Sequence, residues 1–242
     1  MDRFHRRVRE KTENPWAPPV LIVAFGDSVT QGMTSLDVQV PDKVYHQRFK
    51  RRLEACYPTC TFSVINAGVS GQTAPGALSL VDRDVVRHQP DLTIVGFGLN
   101  DAWNGLDDLP VYVDAMNAIV RQIQAGTQSD VVLLTPNFMN MREPAGVDPD
   151  ALPGFRASAE LQNRGVVAAY AHAVREVARA HDLPCADVYR AWEERLVAGI
   201  DVDALLANGM NHPTAEAHAI TAELLLQIVL ATERDAAAPR LT

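Results

Sequence analysis

Val20-Leu21-Ile22-Val23-Ala24-Phe25-Gly26-Asp27-Ser28-Val29-Thr30-Gln31-Gly32 is the stretch around which the rest of the chain is arranged. Its six leading apolar residues lie between Pro18-Pro19 and Gly26-Asp27, the pattern of a strand buried on both faces inside a parallel sheet. The strand ends at a turn that carries a serine. In open α/β sheets, ligands bind in the crevice beyond the carboxyl ends of the strands, so a hydroxyl delivered there is placed for chemistry. A Gly-Asp-Ser turn also serves simply to cap a helix, and this stretch alone does not decide between the two.

Further out, Thr61-Phe62-Ser63-Val64-Ile65, Leu92 to Phe97, Val131 to Leu134 and Leu183 to Val188 read as four more strands. Helical patterns alternate with them. Lys43 to Cys56 reads as a surface helix, and Ala77 to His88 turns Leu78, Val81 and Val85 inward before Pro90 ends it. From Asp107-Asp108 to Gly126, the spacing of Leu109, Tyr112, Val113, Met116, Ile119, Val120 and Ile123 matches a helical stripe. Glu160 to His181 reads as one long helix, and Pro213 opens a last one with Ile220, Leu224, Leu225, Ile228 and Val229 on its apolar face. Strands alternating with helices predict a three-layer α/β/α fold with a five-stranded parallel sheet and right-handed crossovers. Five strands suggest the flavodoxin-like order 2-1-3-4-5. The expected organisation is an N-terminal arm over residues 1–19, one domain over 20–232, and a frayed tail over 233–242.

One segment has no place in a minimal scaffold. Thr135 to Ala159 offers no clear element, and loops longer than about 15 residues are uncommon unless functional or disordered. It leaves the carboxyl end of a strand, so Phe138, Met139, Met141, Arg142, Phe155 and Arg156 are candidates for a lid or an acyl-pocket wall, with plain disorder as the alternative.

Composition narrows the function classes. The chain has 242 residues, 47% of them apolar, which suits one well-buried core. A formal charge of −8 argues against a nucleic-acid or anionic-membrane partner. Arg3, Arg6, Arg7, Arg9 and Lys11 make the start locally basic, but Asp2, Glu10 and Glu13 dilute it, and the segment reads as a solvated helix or arm. No apolar h-region opens the sequence and no run approaches the roughly 18 apolar residues of a membrane span, so a soluble, cytoplasmic protein is expected. Cys56, Cys60 and Cys185 suggest no disulfide framework and lack the histidines a zinc site would add. Neither a metal nor another cofactor is expected.

Three more motifs follow the first: Asn66-Ala67-Gly68-Val69-Ser70-Gly71 after the second strand, Gly98-Leu99-Asn100-Asp101 after the third, and Asn211-His212-Pro213 before the last helix. In that order, Gly26-Asp27-Ser28, Gly68, Gly98-x-Asn100-Asp101 and His212-Pro213 resemble the SGNH (GDSL) hydrolase family, over roughly residues 20 to 230. The resemblance implies the same sheet order and a serine esterase with Ser28 as nucleophile and His212 as its base. It also implies an oxyanion hole built from the backbone N–H groups of Ser28 and Gly68 and the side-chain amide of Asn100. Asp27 and Asp101, inside the first and third motifs, are expected as supporting residues. The chemistry is coherent: a serine hydroxyl needs a base within reach, a glycine lets the backbone come close, and an amide donates without a charge. His218 lies well inside the last helix and reads as structural.

The sequence departs from the family at the third member of the triad. The family usually carries an aspartate three residues before its histidine, where this chain has Gly209 beside Asn208. In a serine protease, Asp to Asn in this role costs about 10⁴ in rate. Asn208 or a backbone carbonyl could orient a Ser-His dyad, or an acid such as Asp187, Asp203 or Glu216 could reach in. The favoured expectation is a dyad assisted by Asn208, acting on small acyl esters, including O-acetyl groups on carbohydrates. A catalytically impaired module that binds an acylated or carbohydrate ligand, and an acyltransferase using the same acyl-serine, are the alternatives. An α/β-hydrolase elbow would need a glycine where Thr30 stands, and no phosphate-binding Gly-x-x-x-x-Gly-Lys or His-Glu-x-x-His occurs.

Overall fold

The computed structural model describes residues 1–35 and 38–237. Helix α1 (Asp2–Glu13) precedes β1 (Val20–Gly26), which runs into the short α2 (Ser28–Gln31). Helix α3 (Tyr45–Cys56) leads to β2 (Phe62–Gly68), and two single turns, α4 (Ala74–Ala77) and α5 (Val81–Asp84), lead to β3 (Leu92–Gly96). After α6 (Leu99–Ala102) and α7 (Leu109–Gly126) come β4 (Asp130–Leu134), α8 (Leu152–Asn163), α9 (Val166–Ala180) and β5 (Cys185–Ala186). Helices α10 (Val188–Val197) and α11 (Ala215–Ala237) follow. The five strands are all parallel and ordered β2-β1-β3-β4-β5, as expected from the sequence.

Alternation along β1 builds the two apolar layers. Val20, Ile22 and Ala24 face one layer with Phe4, Phe49, Leu53 and Leu225, and Val23 and Phe25 face the other with Val81, Met116, Ile119 and Val174. Phe25 and Phe97 meet edge to face at 5.2 Å in the second layer. At the carboxyl edge, Gly26 of β1 lies in register with Gly68 of β2 and Gly96 of β3. A Cβ on Gly68 would stand 2.2 Å from the amide nitrogen of Gln31, so α2 rests directly on the strand ends only because this position has no side chain.

Four expectations need correction. The first residues are not a solvated arm: Phe4 and Val8 are buried, Phe4 stacks on Phe62, and its amide donates to Asp130 Oδ2 at 2.8 Å. The basic residues there serve the fold as well, since Arg3 and Arg7 both pair with the buried Asp91. Ala77 to His88 is not one helix but α5 between tight 3₁₀ turns, although Val81 and Val85 remain fully buried. Glu160 to His181 is split by Gly165, which adopts a left-handed φ of 76° and ends one helix before the next begins. Thr135 to Ala159 is ordered and contains the first part of α8. Phe138 and Met139 belong to the core, and Phe138 packs on Tyr189 and Trp192.

Helix α11 carries the sequence's expected last apolar face, with Leu225 and Val229 buried against the first layer. It also reaches Ala237, past the point where fraying was expected, and residues 238–242 lie outside the described residues. Over Ala215–Glu233 its length and mean hydropathy of 1.2 would suit a membrane span by composition. In this fold the helix packs against α3, to which Arg52 and Glu223 add an ion pair.

Candidate active site

The site is assembled where β1, β3 and β4 end. β1 delivers Asp27, whose Oδ1 accepts the Val29 amide at 2.9 Å and caps α2, leaving Ser28 as the helix's first residue. His212 arrives from the loop before α11. The hydroxyl Oγ of Ser28 and Nε2 of His212 lie 2.9 Å apart, across 184 residues of sequence. With Ser28 donating, the ring must carry its proton on Nδ1. Ser28 and His212 are only 6% and 8% exposed, so both are largely shielded from solvent.

Burial is the larger influence on His212 and holds its pKa below the usual histidine value, while the nearby Thr34 backbone carbonyl pulls the other way. Nδ1 itself is buried and has no partner of hydrogen-bond geometry among the described residues. The expected helper, Asn208, does not reach the ring. Its Oδ1 accepts the backbone amides of Met210, Asn211 and His212 at 3.0, 2.9 and 2.9 Å, because a short side chain at the head of a tight loop bonds local amides first. Nor do the alternative acids reach it: Asp187 is paired with Arg175 and caps α10, Asp203 accepts the Met141 amide and pairs with Arg142, and Glu216 is exposed.

Of the expected oxyanion donors, two keep an N–H without a partner among the described residues. The Ser28 amide has no partner among the described residues, and Asn100 Nδ2 uses one of its two N–H groups on the Gln72 carbonyl at 3.0 Å. Gly68 is different. Its amide donates to Asn66 Oδ1 at 3.0 Å, in the Asx turn that Asn66 makes with the residue two ahead, so it is already taken. Three residues on, Gly71 has a φ of 75°, open space around it, and an amide without a partner among the described residues. It precedes Gln72, which anchors Asn100. The signal in the sequence was the second glycine of Asn66-x-Gly68-x-x-Gly71.

Asp27 and Asp101 are both buried beneath this site. Desolvation pushes Asp27 up to about 7, with the neighbouring Asp101 adding to the rise, and pushes Asp101 up to about 6. Asp101 Oδ1 accepts the Ala74 amide at 2.9 Å and ties α6 to the loop after β2. A small cavity lies between the strand ends, lined by Asp27, Thr30, Tyr45, Leu99, Asn137 and Thr221 among others. His46 bonds the Thr30 carbonyl, and burial holds its pKa down to about 4. His218 stacks on Tyr45, and burial keeps it neutral, at about 3. Among the described residues no three His, Cys, Asp or Glu side chains converge as metal ligands.

The long segment after β4 forms one wall of this region. Asn137 Nδ2 donates to the Asn211 carbonyl at 2.9 Å, and the Asn140 amide donates to the Met210 carbonyl at 2.7 Å. Pro144 and Phe155 stand within 3.6 Å of where a Gly209 side chain would be. Of the residues expected there, Arg142 and Arg156 are instead held by acids on the rim, Arg142 by Asp201 and Asp203 and Arg156 by Glu143. Asn137 and Asn140 carried no signal in the sequence, since neither lies in a recognisable motif.

The five parallel strands in the order β2-β1-β3-β4-β5, with helices around them, define a flavodoxin-like α/β fold. Residues 24–220 match the GDSL-like Lipase/Acylhydrolase family, and the chain belongs to that family. An acetylxylan esterase from Geobacillus stearothermophilus is 27% identical over 184 residues, which cover 72% of this chain and 75% of the relative. Among solved structures, a lipase/acylhydrolase from Enterococcus faecalis is 25% identical with a TM-score of 0.66, the match covering 86% of this chain and 94% of that one. The solved Geobacillus acetylxylan esterase Axe2 shares the fold at 20% identity and a TM-score of 0.65, over 86% of this chain and 92% of that one. The protein is a carboxylic ester hydrolase.

Proposed function

We propose that the protein is a serine esterase for small acyl esters, acting through an acyl-serine on Ser28. The 2.9 Å contact between Ser28 Oγ and His212 Nε2 carries this reading. In the proposed reaction His212 Nε2 takes the hydroxyl proton as Ser28 Oγ bonds to the ester carbonyl carbon. The oxyanion is met by the Ser28 amide and Asn100 Nδ2, with the Gly71 amide in the place expected for Gly68; one such donor is typically worth about 10²–10³ in rate. The tetrahedral adduct expels the alkoxide, which receives the proton from His212, and leaves the acyl group on Ser28. Water, deprotonated by His212, then attacks the acyl carbon and releases the acid and the free serine.

The low exposure of Ser28 and His212 favours a short acyl group, and the acetylxylan esterase among the relatives favours an acetylated carbohydrate as one substrate class. Structures of that relative include catalytic mutants at a serine, an aspartate and a histidine, the last two three residues apart. Here Gly209 stands three residues before His212, so the proposed base works without an acid at that place.

The test is intact-mass analysis after a fluorophosphonate probe, on wild type and Ser28→Ala together. One adduct on wild type, absent from the variant, is the expected result. No adduct on wild type would reject Ser28 as an activated nucleophile. Hydrolysis of acetyl and long-chain esters by the same samples then tests the preference for small acyl groups.

A further inference from the structure

With no carboxylate on its ring, and with the nearby Thr34 carbonyl short of hydrogen-bond geometry at Nδ1, His212 needs another source of direction, because a misplacement of about 1 Å at a reacting group can cost about 10²-fold in rate. The loop from Asn208 to His212 supplies one through the backbone. The peptide unit joining Asn211 to His212 is held at both its polar atoms: Asn208 Oδ1 accepts its N–H at 2.9 Å, and Asn137 Nδ2 donates to its carbonyl at 2.9 Å. The second N–H of the Asn137 amide donates to its neighbour's carbonyl, Phe138 O, at 2.8 Å, which fixes the orientation of the amide. Asn137 is 4% exposed and sits just past the end of β4, so the grip is anchored in the sheet. On the other side of His212, Pro213 restricts the histidine's own backbone to extended geometry. A fixed peptide plane on one side and a proline on the other restrict the backbone from which the His212 side chain starts, and from that start its Nε2 lies 2.9 Å from Ser28 Oγ.

We infer that Asn137 is a positioning residue for His212, setting the ring's aim through the Asn211–His212 peptide where related enzymes use an acid on the ring. The inference rests on the Ser28–His212 reading above. It differs from a purely structural role because it acts through the imidazole and has no effect once the imidazole is gone.

A double-mutant cycle on the fluorophosphonate labelling rate tests it, with each variant's folded fraction measured by circular dichroism. Asn137→Ala should slow labelling by about tenfold to a hundredfold in the wild-type background and leave unchanged the slow residual labelling of His212→Ala, followed at higher probe concentration over longer times. Wild-type labelling by folded Asn137→Ala overturns the inference, and so does an equal slowing in both backgrounds. Should the alanine variant fail to fold, Asn137→Asp keeps the side-chain volume but turns donors into acceptors, and must show the same slowing. Failure of both to fold would make the bonds structural and also overturn it. If His212→Ala labels like wild type, the dyad reading itself has failed, a result separate from any outcome at Asn137.

Discussion

Asn208 Oδ1 bonds the backbone amide of His212 at 2.9 Å, so the side chain nearest the family's acid position holds the histidine's main chain and not its ring. Asn208→Asp should therefore move the pH–rate profile only slightly upward, through the added charge and not through a bond to the ring, since the carboxylate would take over the same amides. Asn208→Ala removes the acceptor for three amides and should lower unfolding stability by about 1–3 kcal/mol. A profile moved upward by more than about one pH unit by Asn208→Asp would show that the side chain reaches the imidazole after all.

The pH dependence of kcat/KM reports the base in the free enzyme. Burial holds His212 below its ordinary value of 6.5, so the neutral ring that accepts the Ser28 proton is already present in mildly acid solution. Activity should rise with pH along a limb centred below 6.5. A midpoint above that value would mean that a negative group stabilises the charged ring.

Burial of Asp27 makes the stability of the fold depend on pH. Its folded pKa is raised from 3.8 to about 7, chiefly by desolvation, so between those values the folded chain keeps a proton that the unfolded chain has lost. Its stabilising contribution is present below the lower value and disappears as pH rises through the upper one. The amide introduced by Asp27→Asn cannot ionise but can still accept the Val29 N–H. Urea midpoints should fall more between about pH 5 and about pH 8 for wild type than for the variant. Equal falls would show that Asp27 ionises freely in the fold.

Gly68 and Gly71 should respond differently to alanine. At Gly68 the new Cβ would meet the Gln31 amide nitrogen at 2.2 Å, so α2 and Ser28 must shift; the expected loss is about 1–3 kcal/mol or more, together with activity. At Gly71 the space is open and only the left-handed φ of 75° opposes a side chain, at about 1–2 kcal/mol. Thermal unfolding of both variants decides it, and a Gly68→Ala protein as stable as wild type would disprove the close approach.

Phe4→Ala tests the reassignment of the first helix. The ring is fully buried against Phe62 and the sheet, and its removal should lower stability by about 3–5 kcal/mol in urea unfolding. A solvated arm would tolerate the change.

Much of the fold and part of the site were legible in the sequence. Uninterrupted apolar runs mark strands covered on both faces, and their glycine-rich ends mark the crevice, which is why the sheet order and the meeting of Ser28 with His212 followed from pattern and resemblance. Local pattern failed where tertiary contacts decide. Phe4 and Val8 are two apolar residues among many charges, and only Phe62 and the sheet make them core. Gly165 breaks the helix through its left-handed backbone, which apolar spacing running on across it does not reveal. Asn137 and Asn140 act on carbonyls far along the chain, a relation with no signature in one sequence. The resemblance implies an oxyanion role for the Gly68 amide, whereas that amide is taken by Asn66 and the missing side chain is what α2 needs.

The packing of α11 has a consequence for biosynthesis. This helix covers α3 and the first apolar layer, its Thr232 meets His5 of α1 at 2.9 Å, and the loop that carries His212 immediately precedes it. On the ribosome, the sheet's first strands and α3 emerge well before their cover, so that layer stays exposed until α11 clears the exit tunnel. The nascent chain therefore holds its serine long before it can use it, and chaperone occupancy during synthesis should concentrate on the stretch between α3 and α11.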